Sequence, residues 1–196
     1  MTMMKIATNV HPTSPERAQY RYQQILYIID FLLKLWGILF SPKKYTMSQS
    51  LVKNYLHIVF STKHRENIID ESIEGELYAY LGGICKRLAC QPVKIGGHWD
   101  HVHILCLLSK NLTLVKLLEE VKSHSSKWVK TQGDIYKNFY WQEGYGAFSV
   151  NPSETDAVIN YISKQKEHHV QRSFQDEYRA FLKKHNVEYD ERYVWD

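Results

Sequence analysis

The hydrophobic positions of this chain change period several times between residues 55 and 185, and each change marks an element. Tyr55-Leu56-His57-Ile58-Val59-Phe60-Ser61-Thr62 is a β-branched and aromatic run, which predicts a strand. Ile73, Leu77, Tyr80, Leu81, Ile84 and Leu88 then recur at helical spacing behind Asp70 or Ser72 as a cap. Pro92-Val93-Lys94-Ile95 predicts a short strand that Gly96-Gly97 breaks, and Asp100 to Leu108 predicts the next. The two are close enough in sequence to pair as a hairpin. Asn111 or Thr113 opens a second helix with Leu114, Leu117, Leu118, Val121, Ser125 and Trp128 along one side. Phe139-Tyr140-Trp141 and Ala147-Phe148-Ser149-Val150 are strand-like, with Gly144 and Gly146 bending the chain between them. Asn151-Pro152-Ser153-Glu154 opens a third helix that runs through Val158, Ile159, Ile162 and Gln165, and Phe174 to His185 predicts a fourth.

The order is β α β β α β, then α α. It predicts an α+β domain of the ferredoxin-like, split-βαβ kind: an antiparallel sheet with two helices on one face, followed by C-terminal helices. The other face of the sheet is then expected to be open for function. That fold hosts many activities, so the chemistry must come from particular side chains.

Residues 1–46 read differently. A polar start gives way to an apolar run, Ile25 to Phe40, whose less apolar positions Tyr27, Asp30, Lys34 and Gly37 form one narrow helical stripe. The run is short for a membrane span and carries an Asp and a Lys. A helix against a partner or a membrane surface and a segment with no role are both consistent with it. Ser41-Pro42-Lys43-Lys44 breaks the pattern, and the chain from Met47 reads as a complete domain. We therefore expect 1–46 to be an N-terminal extension and 47–196 to be the domain, with no membrane role.

Composition changes this picture little. The net charge of +4 comes from the extension: six of the 25 Lys and Arg but only two of the 21 Asp and Glu precede Met47, leaving 19 of each sign behind it. Global charge therefore gives no case for nucleic-acid binding, and any such case rests on local patches. Three cysteines, Cys85, Cys90 and Cys106, form no CxxC pair and no disulfide framework, which points to a reducing, cytoplasmic compartment.

The chemistry centres on His101-Val102-His103. Alternation along a strand puts the two imidazoles side by side on one face, where they can hold a divalent metal. Taken alone, they read first as two polar positions of a half-buried strand. Downstream, Tyr161 and Gln165 are spaced i and i+4, one helical turn apart. A phenol, with an ordinary pKa of about 10, is a poor nucleophile unless a metal polarises its electrophile. Gln165 offers a neutral carbonyl oxygen as a third ligand. A His101, His103, Gln165 set has no ligand charge and suits Mg²⁺ or Mn²⁺, with imidazoles favouring Mn²⁺.

Four segments in order carry a resemblance: Tyr55 to Arg65; Trp99-Asp100-His101-Val102-His103-Ile104-Leu105; Trp141 to Val150; and Tyr161-Ile162-Ser163-Lys164-Gln165. From about Ser48 to His169 the chain resembles the small single-tyrosine transposases of the insertion-sequence-200-like family, in the class of single-strand nucleases with a His-hydrophobic-His motif. The resemblance implies a metal-dependent transposase that cleaves and rejoins single-stranded DNA. Tyr161 would attack a phosphodiester and hold the 5′ phosphate, with His101, His103 and Gln165 on the metal. It further implies recognition of hairpins at element ends, and a homodimer whose active sites can be composite. A domesticated relative that binds or processes repeated palindromes shares these motifs, and a non-catalytic nucleic-acid-binding module is the alternative from another class. The extension and the tail after His169 depart from the family pattern.

The remaining candidates carry less signal. Asp100, by strand alternation, is expected to point away from His101. His57 reads as a buried, satisfied histidine, His98 lies near the pair, and His168 and His169 are expected at an exposed helix end. Lys63, His64 and Arg65, and Lys122, Lys127 and Lys130, form two basic patches that serve DNA contact or simple solvation. Trp99, Tyr140, Trp141 and Tyr145 are candidates for base stacking or for core packing.

Overall fold

The computed structural model describes residues 14–39, 50–169 and 173–195. They fall into two units divided between Ser50 and Leu51. The first holds α1 (Ser14–Leu39), a helix of 26 residues that begins well before the apolar run. Asp30 and Lys34 pair across one turn at 2.6 Å. Tyr27, Phe31, Leu33 and Trp36 are among the apolar side chains that it exposes. No helix of the described residues is long and apolar enough to cross a membrane. The expected break at Ser41-Pro42-Lys43-Lys44 and the start at Met47 lie outside the described residues.

The second unit is built on a four-stranded sheet of β1 (Tyr55–Ser61), β2 (Gln91–His98), β3 (His101–Leu107) and β4 (Gly146–Val150) in the order β2-β3-β1-β4. Every neighbouring pair is antiparallel. α2 (Glu74–Arg87) joins β1 to β2, and α3 (Leu114–Val129) joins β3 to β4. This is the split-βαβ arrangement that the periodicity predicts. Thr113 caps α3 by accepting from the Lys116 N–H, an interaction worth about 1 kcal/mol. α4 (Thr155–Ser163), α5 (Gln165–His168) and α6 (Phe174–Lys184) follow β4.

Alternation divides the sheet into two chemically different faces. Leu56, Ile58 and Phe60 of β1 and Val102, Ile104 and Cys106 of β3 bury against α2 and α3, meeting Leu77, Leu81, Leu117 and Val121. Each such side chain contributes about 1.5–3 kcal/mol by leaving water, so this face is the main core. The opposite face carries His57, Val59 and Ser61 of β1, directly across from Leu105, His103 and His101 of β3. It is not open, as the sequence suggests. Phe174, Tyr178 and Leu182 of α6 pack with Val59 and Phe148 over it, because α6 has an apolar stripe of its own to bury.

Four local expectations change. β2 does not break at the glycines but runs on to His98, with Gly96 opposite His103. A side chain at Gly96 would stand 2.9 Å from Ile162 Cγ2 and 3.1 Å from its carbonyl oxygen, so the glycine admits α4 close to the sheet. Gly146 does the same for α6, since a Cβ there would lie 2.8 Å from the Tyr178 ring. Phe139-Tyr140-Trp141 supplies one isolated bridge, Trp141 to Thr62, rather than a strand. Asp70 accepts from the Ser72 N–H at 2.9 Å in a turn before α2, which itself starts at Glu74. The predicted third helix is interrupted at Lys164 (φ −101°, ψ 16°), so Tyr161 and Gln165 sit on two short helices instead of successive turns of one.

Candidate active site

His101 and His103 are fully buried, and their rings lie 4.9 Å apart on the α6-covered face of β3. Asp100 does not point away from them. It sits in the turn that precedes β3, where strand alternation does not yet apply, and its Oδ1 lies 2.7 Å from His101 Nδ1. The imidazole N–H donates to this carboxylate, which fixes the ring and turns Nε2 toward the site. Burial works to raise the Asp100 pKa, but the His101 hydrogen bond and charge hold it below its ordinary value.

His103 has a different support. Its Nδ1 lies 3.0 Å from His57 Nε2, while its own Nε2 is buried without a hydrogen-bond partner among the described residues. Burial, then the charge of His101, keeps His103 well below the usual histidine range. Burial, with His185 and Lys184 adding to it, lowers His57 to about 4. Both rings are therefore neutral at pH 7, the form that binds a metal. The sequence reading of His57 as a buried, satisfied histidine matches its place beneath His103.

Gln165, the first residue of α5, is 1 % exposed and brings its Oε1 to 3.2 Å from His101 Nε2. Its amide N–H donates to Glu177 Oε1 at 2.9 Å. Glu177 is the residue that sequence reasoning missed. Its oxygens lie 3.9 Å from His101 Nε2 and 3.8 Å from His103 Nε2, and one ligand atom from each of the three lies within 4.8 Å of the others. Burial raises its pKa to about 7 against the pull of His101. A signal for it was present: Glu177 lies on the Phe174, Tyr178, Phe181 side of α6, an acid placed on an otherwise apolar helix face. His169 also departs from expectation. It is buried in the site, with Nε2 at 3.0 Å from Glu177 Oε2 and 3.1 Å from Gln165 Oε1, whereas His168 is exposed.

Tyr161 reaches the same place from α4. Its ring stands edge-on at 5.8 Å from His103 and 6.1 Å from His57 of its own chain. Its hydroxyl is buried and has no hydrogen-bond partner among the described residues. Phe174 stacks on His101 at 4.5 Å and Phe181 packs at 5.5 Å from Tyr161, so α6 roofs the cluster.

The orphaned His103 Nε2, His101 Nε2 and the Glu177 carboxylate lie within 4.8 Å of one another, and the residues fit a divalent cation there. The nitrogens and oxygens are the donors that Mn²⁺, or Mg²⁺ with less affinity for imidazole, accepts.

The expected DNA-contact residues separate. Lys122 is committed elsewhere: its Nζ donates to the carbonyls of Gln142, Glu143 and Gly144 at 2.7–2.9 Å, and burial lowers its pKa to about 8. It holds the loop before β4 and does not project as a free cation. Arg65 is half-buried and donates to the Trp195 carbonyl at 3.1 Å. Lys63 and Lys127 are exposed. Lys127 lines a surface groove with Lys130 and Tyr140, and Lys130 Nζ stands 3.4 Å from the centre of the Tyr140 ring. Trp99, Tyr140 and Tyr145 are surface aromatics, while Trp141 is core, packed edge-on against Phe60 and Phe139.

Known proteins resemble this chain in part. No curated protein sequence matches it. Two solved structures are similar at a TM-score of 0.48. One is described as a candidate transposase from Deinococcus radiodurans R1, 17 % identical, with 61 % of this chain and 98 % of that chain covered. The other is a REP-associated tyrosine transposase bound to a REP hairpin, 13 % identical, with 63 % and 74 % covered. The sequence model of the family described as "Transposase IS200 like" matches residues 50–165. That span holds all four strands, the histidine pair, Tyr161 and Gln165, and on it the chain belongs to the IS200-like transposase family.

Proposed function

We propose that this transposase cleaves and rejoins single-stranded DNA by transesterification, with Tyr161 as the nucleophile. The observation that carries the reading is the buried, unpartnered Tyr161 hydroxyl beside the neutral His103 ring of the same chain. The phenol oxygen forms a bond to phosphorus as the bond to the 3′ oxygen breaks. The phenol proton ends on that 3′ oxygen, and the 5′ phosphate stays on Tyr161. A free 3′ hydroxyl reverses the same exchange to rejoin strands, so no nucleotide is consumed. His101 and His103, with Gln165 Oε1 within reach, would hold a divalent cation, which when bound would polarise the scissile phosphate.

The chain's own residues do the rest. Asp100 and His57 orient the two imidazoles, and Gly96 lets α4 deliver Tyr161 to them. The partner is single-stranded DNA with hairpins, the substrate class that membership of the family implies. Lys63 and the groove of Lys127, Lys130 and Tyr140 are the surface cations and aromatic that suit it. In a homodimer each chain would use its own tyrosine, because all these side chains converge within one chain. An oligonucleotide carrying an element end, incubated with Mn²⁺, tests the reading: a covalent adduct forms with the unmodified chain, and a persistent adduct with Tyr161→Phe would sink it.

A further inference from the structure

Glu177 lies outside the span that the family model matches, on a helix that roofs the catalytic face. We propose that its carboxylate is a ligand of the cation, and that a bound cation therefore latches α6 over the histidines. The inference rests on the reading that a cation serves this site.

The geometry argues for it in three ways. First, Glu177 is held but not satisfied. Gln165 donates to Oε1 at 2.9 Å and His169 lies 3.0 Å from Oε2, so both oxygens are fixed in place with lone pairs to spare. Second, the spare lone pairs face the histidines at 3.8 and 3.9 Å, too long for hydrogen bonds but suited to donors that share an ion between them. Third, acceptors crowd one spot. Gln165 Oε1 lies 3.2 Å from His101 Nε2 and both Glu177 oxygens stand within 4 Å of the two histidines. A buried cluster of lone pairs needs something positive at its centre. A cation answers that need and satisfies the orphaned His103 Nε2 as well.

Gln165 then takes a second role. Its amide N–H positions Glu177, so it supports the ligand on α6 while its oxygen stays at the edge of the site. The roof has a consequence for substrate. His101 and His103 are fully buried beneath α6, so a phosphate reaches them only as that roof yields.

Calorimetric titration of the EDTA-stripped full chain with MnCl₂, alongside hydrogen exchange of α6 amides, tests the proposal without reference to activity. We expect the unmodified chain to bind Mn²⁺ and to slow exchange across α6. Glu177→Gln, which keeps the side-chain shape, should bind at least about 10-fold more weakly and gain no α6 protection. Should that variant fail to fold, Glu177→Asp replaces it, because the shorter arm withdraws the carboxylate and predicts the same loss. Equal affinity and equal α6 protection in the Glu177 variant, with binding lost in His101→Ala, would overturn the proposal and leave the histidine site intact. No Mn²⁺ binding by the unmodified chain would overturn this proposal and the cation reading together.

Discussion

His101 Nδ1 and Asp100 Oδ1 lie 2.7 Å apart although the two residues are neighbours in sequence. The turn before β3 brings them together, and it sets which nitrogen of His101 faces the site. Removing the acceptor frees the ring to rotate and to change tautomer. Asp100→Ala is therefore expected to weaken Mn²⁺ binding about 10- to 100-fold with little change in fold, as read by titration and circular dichroism. Unchanged affinity would show that the ring is oriented by packing alone.

Tyr161 sits 5.8 Å from His103 of its own chain. A site complete in one chain predicts that mixing Tyr161→Phe with His101→Ala restores no cleavage of an end oligonucleotide. Recovery toward the level expected for mixed dimers would show that the tyrosine acts on its partner's histidines.

Burial lowers His57 from 6.5 to about 4. The folded chain then binds fewer protons than the unfolded chain between these values. The stabilisation is present above pH 6.5 and is lost as pH falls toward 4, on the order of 3 kcal/mol over the window. With the opposing Glu177 carboxyl removed as Glu177→Gln, thermal melts in EDTA should drop between pH 7 and 4.5, and adding His57→Gln should flatten the drop. Glu177, raised to about 7, acts in the opposite sense: its contribution is lost as pH rises from 4.5 through 7. Glu177→Gln should accordingly make the acid-side drop steeper.

Gly96 faces Ile162 with no room for a methyl group. Gly96→Ala must push α4 off the sheet or distort β2, at a cost of about 1–3 kcal/mol. Cleavage should fall more than stability, because α4 carries Tyr161, the proposed nucleophile. A denaturant melt and a cleavage rate measured on one preparation separate the two effects.

The lysines of α3 and its C-cap divide into two tests. Lys127→Glu with Lys130→Glu should weaken oligonucleotide binding. The slope of log affinity against log salt should also become shallower, by roughly 0.7 for each phosphate that is no longer neutralised. Lys122→Met should leave that slope alone and lower the melting temperature, since Lys122 serves three backbone carbonyls.

Periodicity made the sheet and its two crossover helices legible, because β1 and β3 alternate and α2 and α3 repeat at helical spacing. The histidine pair was legible for the same reason. The roof was not. An apolar stripe on α6 shows that the helix covers something, but which surface it covers depends on the tertiary path after β4. Glu177, 74 positions beyond His103 by number, was hidden with it. Asp100 and His169 were misplaced because each lies just outside a regular element, where neither the strand nor the helix period governs direction. Lys122 misled in another way: a cation in sequence carries no sign of the carbonyls that will surround it.

The alternation that sets His101 and His103 opposite Ser61 and Val59 has a consequence for folding fidelity. A one-residue slip of β3 against β1 would turn Val102 and Ile104 to the roofed face and drive both imidazoles into the greasy layer beneath α2 and α3. Nothing in backbone hydrogen bonding alone forbids the slipped pairing. The histidines do, because burial among Leu77, Leu81 and Leu117 would strip them of every polar neighbour. The residues that prepare the site for chemistry thus also act as a proofreading mark, penalising the misregistered sheet before any DNA is met.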